Sequence, residues 1–112
     1  MIFIITISCD YSKLFASNSN NFEDYGLISI MYHRFNENKY PSTNIQLDVF
    51  KEQLKVIEEE GITFIHPKDF KKSLSDEKGK RKILLTIDDG LLSFYENAWP
   101  ILKKKKIPFI LF

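Results

Sequence analysis

Between Lys82 and Ile87 the chain reads Lys-Ile-Leu-Leu-Thr-Ile. A strand that is apolar at successive rather than alternate positions has to be covered on both faces, which is the condition of a parallel sheet packed between other layers. The flanking pattern supplies such layers. Leu27–Tyr32 is another short apolar run and reads as a buried strand opening into a polar loop over 36–43, with Pro41. Over 46–60, Leu47, Phe50, Leu54 and Ile57 recur at three- and four-residue steps with Lys51, Glu52, Lys55 and Glu58 between them, which predicts an amphipathic helix. Its start is capped at Thr43 or later, and Gly61 ends it. Residues 62–65 predict a strand, and 67–74 a short helix with Pro67 in its first position and His66 as its cap. Residues 93–105 predict a helix that Pro100 kinks or restarts, and 108–112 a last strand. Strand alternating with helix makes the fold class α/β, a mostly parallel sheet with right-handed crossovers.

Directly after the most apolar strand come Asp88, Asp89 and Gly90. Two adjacent carboxylates at the end of a buried strand each need compensation by a cation, a metal or a shared proton, and sites that carry this cost are usually functional. The plainer reading is a turn, because Asp-Gly is among the commonest turn dipeptides and glycine supplies a positive φ.

Composition narrows the partners. The 112 residues are 44% hydrophobic, enough for one small domain, whereas a complete (β/α) barrel takes roughly twice that length. Sixteen basic against 15 acidic residues give a net charge of +1, which leaves no electrostatic footprint for nucleic acid or an anionic membrane and points to a neutral or small ligand. The run Lys103, Lys104, Lys105 and Lys106 reads as a solvated helix terminus. The single cysteine, Cys9, excludes an intrachain disulfide and any metal site built from this chain's cysteines alone.

Residues 1–8 look like the apolar core of a signal peptide, with a small-residue cleavage region near Ala16 and Ser17, although a basic leading segment is lacking and Asp10 interrupts the run. The reading is an incomplete export signal, which places the protein in the cell envelope, the periplasm or outside the cell. A lipid attachment site at Ser8-Cys9 and a buried first strand are the other readings. Residues 17–24, rich in Ser and Asn, form a linker, so the chain divides into leader and linker over 1–24 and a domain over 25–112. No run reaches the roughly 18 apolar residues of a membrane-spanning helix. The apolar stretch Ile110, Leu111 and Phe112 predicts a strand that further chain should cover.

Several segments then line up in order. They are Leu-Ile-Ser-Ile-Met-Tyr-His-Arg-Phe over 27–35, the helix through Phe50 and Ile57, Ile-Leu-Leu-Thr-Ile-Asp-Asp-Gly over 83–90, and Tyr-Glu-Asn-Ala-Trp-Pro-Ile-Leu-Lys-Lys over 95–104 leading to Ile107, Pro108 and Phe109. This set resembles the polysaccharide deacetylase family, or NodB homology domain, over residues 26–112 and only in the N-terminal portion of that domain. The resemblance implies the N-terminal part of a distorted (β/α) barrel, incomplete in this chain. It implies removal of N- or O-acetyl groups from an acetylated oligo- or polysaccharide with a divalent metal, commonly zinc. It also implies Asp88 as catalytic base and Asp89 as metal ligand, and would bring His33, which follows the first strand, to the same rim to contact substrate or hold the loop; the plainer reading of His33 is a loop histidine hydrogen-bonded to backbone.

The same resemblance calls for two further histidine ligands about one helical turn apart, an arginine beside the base and a histidine acting as acid, from motifs these residues do not contain. The expectation is therefore a metal-dependent carbohydrate deacetylase, a hydrolase of carbon–nitrogen bonds other than peptide bonds, present as a truncated fragment that does not catalyse alone. The alternatives are a glycan-binding or inactive remnant of that domain and, in another class, a phosphoacceptor receiver domain, where an acidic pair that binds magnesium stands near the start rather than late. Tyr95 and Trp99, at helical spacing with Ala98, Ile101 and Leu102, read as core rather than as sugar-stacking rings.

Overall fold

A computed structural model describes residues 26–76 and 79–112 of the chain; the expected leader and linker over 1–24, with Cys9, lie outside the described residues. In chain order the elements are β1 (Leu27–Tyr32), β2 (Arg34–Phe35), β3 (Asn44–Ile45), α1 (Leu47–Glu59), β4 (Thr63–Phe64), a 3₁₀ turn (Pro67–Asp69) running into α2 (Phe70–Leu74), β5 (Lys82–Ile87), a π-helical turn (Phe94–Ala98) running into α3 (Trp99–Lys105), and β6 (Ile110–Leu111).

β5 is the hub. Ile83, Leu84, Leu85, Thr86 and Ile87 are all buried, as the apolar run requires. β1 lies parallel along one edge from Leu27 opposite Lys82 to Tyr32 opposite Ile87. β4 pairs with the first two residues of β5 and β6 with its last two, both parallel. The sheet is therefore parallel throughout, with helices in the connections, an α/β arrangement as expected.

β1 departs from the buried strand expected of it. Ile28 is 42% and Met31 58% exposed, because β1 pairs with one described strand only and leaves part of its surface uncovered. The polar loop after β1 is also more ordered than its composition suggests: β2 and β3 pair within it, Arg34 opposite Asn44 and Phe35 opposite Ile45.

α1 buries Phe50, Leu54 and Ile57, one stripe at helical spacing, and each such side chain contributes about 1.5–3 kcal/mol when fully buried. Its cap comes from afar: the Gln46 side chain makes no capping bond to the helix, and the Leu47 N–H donates instead to Asn36 Oδ1 at 2.8 Å. At the other end Gly61 takes φ +66°, and Ile62 N–H reaches back to Ile57 O at 3.1 Å, closing the helix as a left-handed glycine does. The core joins Phe35, Phe50, Leu54, Leu85, Ile87, Phe94, Ala98 and Leu102, with Phe35 and Phe50 edge to face at 5.0 Å.

Pro100 acts as the sequence predicts, by a particular route. A proline inside an α-helix has no N–H to donate and crowds the carbonyl four residues back. Here the turn before it widens, Trp99 N–H bonding Phe94 O, and the helix resumes with Pro100 in its first turn. The four lysines at the end are exposed, and Lys105 Nζ donates to Glu58 at 2.8 Å.

Candidate active site

A parallel sheet puts the carboxyl ends of its strands on one rim, where α/β folds bind ligands. Because Tyr32 is the register partner of Ile87, the next residues, His33 and Asp88, meet there. The Asp88 N–H donates to Tyr32 O at 2.8 Å and the Phe112 N–H to Ile87 O at 2.9 Å, so pairing continues to the rim on both sides of β5. His33 Nε2 lies 3.7 Å from Asp88 Oδ2, with side chains 25% and 29% exposed. That spacing exceeds a hydrogen bond and makes an ion pair when the imidazole is protonated.

Asp88 shares a face with Leu84 and Thr86 and, with Met31, Ile110 and Phe112, lines an open hollow of about 660 Å³. One carboxylate thus stands at the mouth of an otherwise mostly apolar concavity. Asp89 is exposed and sits at φ +69°, followed by Gly90 at φ +50°. The plainer reading of the sequence is thus seen: the pair opens a turn, and the turn separates the two carboxylates, Asp88 toward the hollow and Asp89 toward solvent. A left-handed backbone costs a non-glycine residue about 1–2 kcal/mol, less for Asp, whose short polar side chain bonds locally.

His66 serves as the cap expected of it, accepting from Lys68 N–H at 3.2 Å through Nδ1. Trp99 packs edge to face on Phe109 at 5.7 Å, as a core ring. Tyr95 does not join the core: it is 65% exposed, because Phe94 and Ala98 already take the inward positions of that turn.

Three residues at the rim escaped the sequence reading. Ser93 Oγ accepts the Phe35 N–H at 3.3 Å, and Asn97 Nδ2 donates to Phe35 O at 3.1 Å. The Glu37 carboxyl is held below its ordinary range, first by the Ser93 hydroxyl and, against some desolvation, by Arg34, whose Nη1 is 2.9 Å away. The signal for Ser93 and Asn97 was a pair of polar residues four apart on the inward side of an apolar helix; the partner, a backbone peptide 58 and 62 positions away, was invisible. Burial pushes the Tyr32 phenol up, and its hydroxyl donates to Gln53 at 2.5 Å.

A catalytic zinc site takes three protein ligands. Among the described residues no three His, Cys, Asp or Glu side chains converge as a metal-binding set. Asp89 can supply one carboxylate, so these residues fit one corner of such a site and do not complete it.

No family model matches the sequence. YxkH of Bacillus subtilis (strain 168), named as a candidate polysaccharide deacetylase, is 29% identical over 77 residues, 67% of this chain and 27% of its own length. IcaB from Ammonifex degensii superposes with a TM-score of 0.70 at 34% identity, over 79% of this chain and 38% of that one. The chain is thus similar to part of a protein named as a polysaccharide deacetylase. The deacetylase PplD of Streptococcus pyogenes, solved in complex with acetate, matches at 25% identity and a TM-score of 0.60, over 78% of this chain and 41% of that one. A de-N-acetylase from Aggregatibacter actinomycetemcomitans shares the fold at 20% identity and a TM-score of 0.59, over 78% of this chain and 36% of its own. The chain thus spans 27% of the curated deacetylase relative and 36 to 41% of these three solved structures.

Proposed function

We propose that this chain is the N-terminal part of a metal-dependent carbohydrate deacetylase and that its parallel sheet begins a distorted (β/α) barrel. One observation carries the reading: Asp88 directly follows the central strand and lines the hollow, 3.7 Å from His33, after the strand whose sequence resembles the deacetylases. Asp88 is the base that takes a proton from the attacking water. Asp89 is one metal ligand, His33 contacts the substrate, and the remaining ligands lie outside these 112 residues. The divalent metal, commonly zinc, supplies Lewis acidity toward the water and the acyl carbonyl when bound. Water adds to the acetyl carbonyl as its proton passes to Asp88, the bond to the sugar nitrogen breaks, and the departing amine takes a proton from the acid histidine that lies outside these residues, so acetate and a free amino sugar are the products.

The substrate in this reading is an acetylated oligo- or polysaccharide, and the apolar residues 1–8 support a place in the cell envelope or beyond it. No described helix is long and apolar enough to cross a membrane. The test is acetate release by the full-length protein from an N-acetylated glucosamine oligomer, before and after chelation and after zinc is returned. Loss and recovery support the reading; release that survives complete chelation, or none in any state, opposes it.

A further inference from the structure

Phe35 stands two residues after His33, and both polar groups of its backbone are taken by side chains of the segment that follows Asp89. Its N–H goes to Ser93 Oγ at 3.3 Å and its carbonyl to Asn97 Nδ2 at 3.1 Å. Its ring is fully buried, 5.0 Å from Phe50 and 6.1 Å from Phe94. The segments leaving β1 and β5 are thus tied twice, once by Asp88 N–H to Tyr32 O and once by this clamp, with His33 and Asp88 between the ties.

Ser93 and Asn97, four apart, grip the two backbone groups of one residue at the π-helical turn, a wider turn closed by an i to i+5 bond. Trp99 N–H to Phe94 O is such a bond, and Pro100 favours it, since an α-helical turn would set its ring against the Glu96 carbonyl. Ser93 is buried, and its oxygen accepts from the Phe35 N–H.

We infer that Ser93 and Asn97 are positioning residues of the candidate site, which through the Phe35 peptide hold His33 against Asp88. The inference rests on Asp88 and His33 forming the site, and its test reads geometry rather than turnover. The chain has two histidines, so the imidazole Cε1–H resonances of His33 and His66 in the 112-residue chain at neutral pH report the site and an internal reference. Asp88→Asn marks where His33 resonates without its partner's charge. Asn97→Ala and Ser93→Ala are expected to move His33 at least half of that way with His66 unmoved, and Ser93→Thr, which keeps the hydroxyl, to restore it.

Asn97→Asp, whose carboxylate cannot donate to Phe35 O, should act like Asn97→Ala and serves where the alanine variant fails to fold. Ile107→Val, which loosens the core elsewhere, should leave His33 in place. The inference is overturned if Asp88→Asn does not move His33, if His33 stays in place in the Ser93 and Asn97 variants, or if Ile107→Val shifts it as much. A wrong functional reading would show instead as turnover that ignores Asp88→Asn, with these shifts intact.

Discussion

His33 Nε2 stands 3.7 Å from Asp88 Oδ2 because the residues before them, Tyr32 and Ile87, are partners in a parallel ladder. The juxtaposition is a property of register, and a one-residue slip of β1 would turn its side chains to the opposite faces. If His33 contacts substrate, His33→Ala should raise KM for the acetylated oligomer about tenfold with a smaller effect on kcat, the pattern of a lost binding contact. Steady-state kinetics on the full-length protein check this, and an unchanged KM contradicts it.

Asp89 is held at a positive φ that suits glycine better than aspartate. Asp89→Gly should therefore leave thermal stability within about 1 kcal/mol of the original while removing the proposed ligand. Zinc content and chemical denaturation measured on the same sample check it. A variant that keeps its metal argues against Asp89 as a ligand.

Leu85 is fully buried in the centre of β5, so Leu85→Ala should cost about 2–5 kcal/mol. Asp88→Asn, at a partly exposed rim position, should cost less than about 1 kcal/mol. Denaturant midpoints separate the two, and equal losses would mean that Asp88 is a structural residue.

Glu37 gives the acid-side prediction. Its carboxyl titrates below the ordinary 4.5, chiefly through the Ser93 hydroxyl and then Arg34. A lowered folded value means the native state favours the ionised form, so the contribution is fully present above the unfolded value and is lost as pH falls through the folded one. Relative to Glu37→Gln, the original chain should lose Tm more steeply below the ordinary glutamate value. Parallel Tm curves in acid would refute it.

Much of the fold was legible because it rests on local patterns. The unbroken apolar run of β5, the stripe of Phe50, Leu54 and Ile57, the stop at Gly61 and the restart at Pro100 each follow from short-range chemistry. The Asp88–Asp89 pair was visible for the same reason. What the sequence hid are partnerships across distance: Asn36 capping α1, the pairing of β2 with β3, and Ser93 and Asn97 on the Phe35 peptide. Ser and Asn hydrogen-bond to whatever backbone lies near, so their spacing cannot name a partner. Tyr95 was misread because helical spacing does not say which side of Phe94 and Ala98 faces out.

The most direct measurement is acetate release from an N-acetylated glucosamine oligomer by the full-length protein and its Asp88→Asn form, at equal protein and zinc. With Asp88 as base, the substitution should lower kcat by a factor of about 10² to 10⁴, with the fold retained by circular dichroism. Release by Asp88→Asn at the original rate would contradict the account, since the residue at the mouth of the hollow would then have no part in the chemistry.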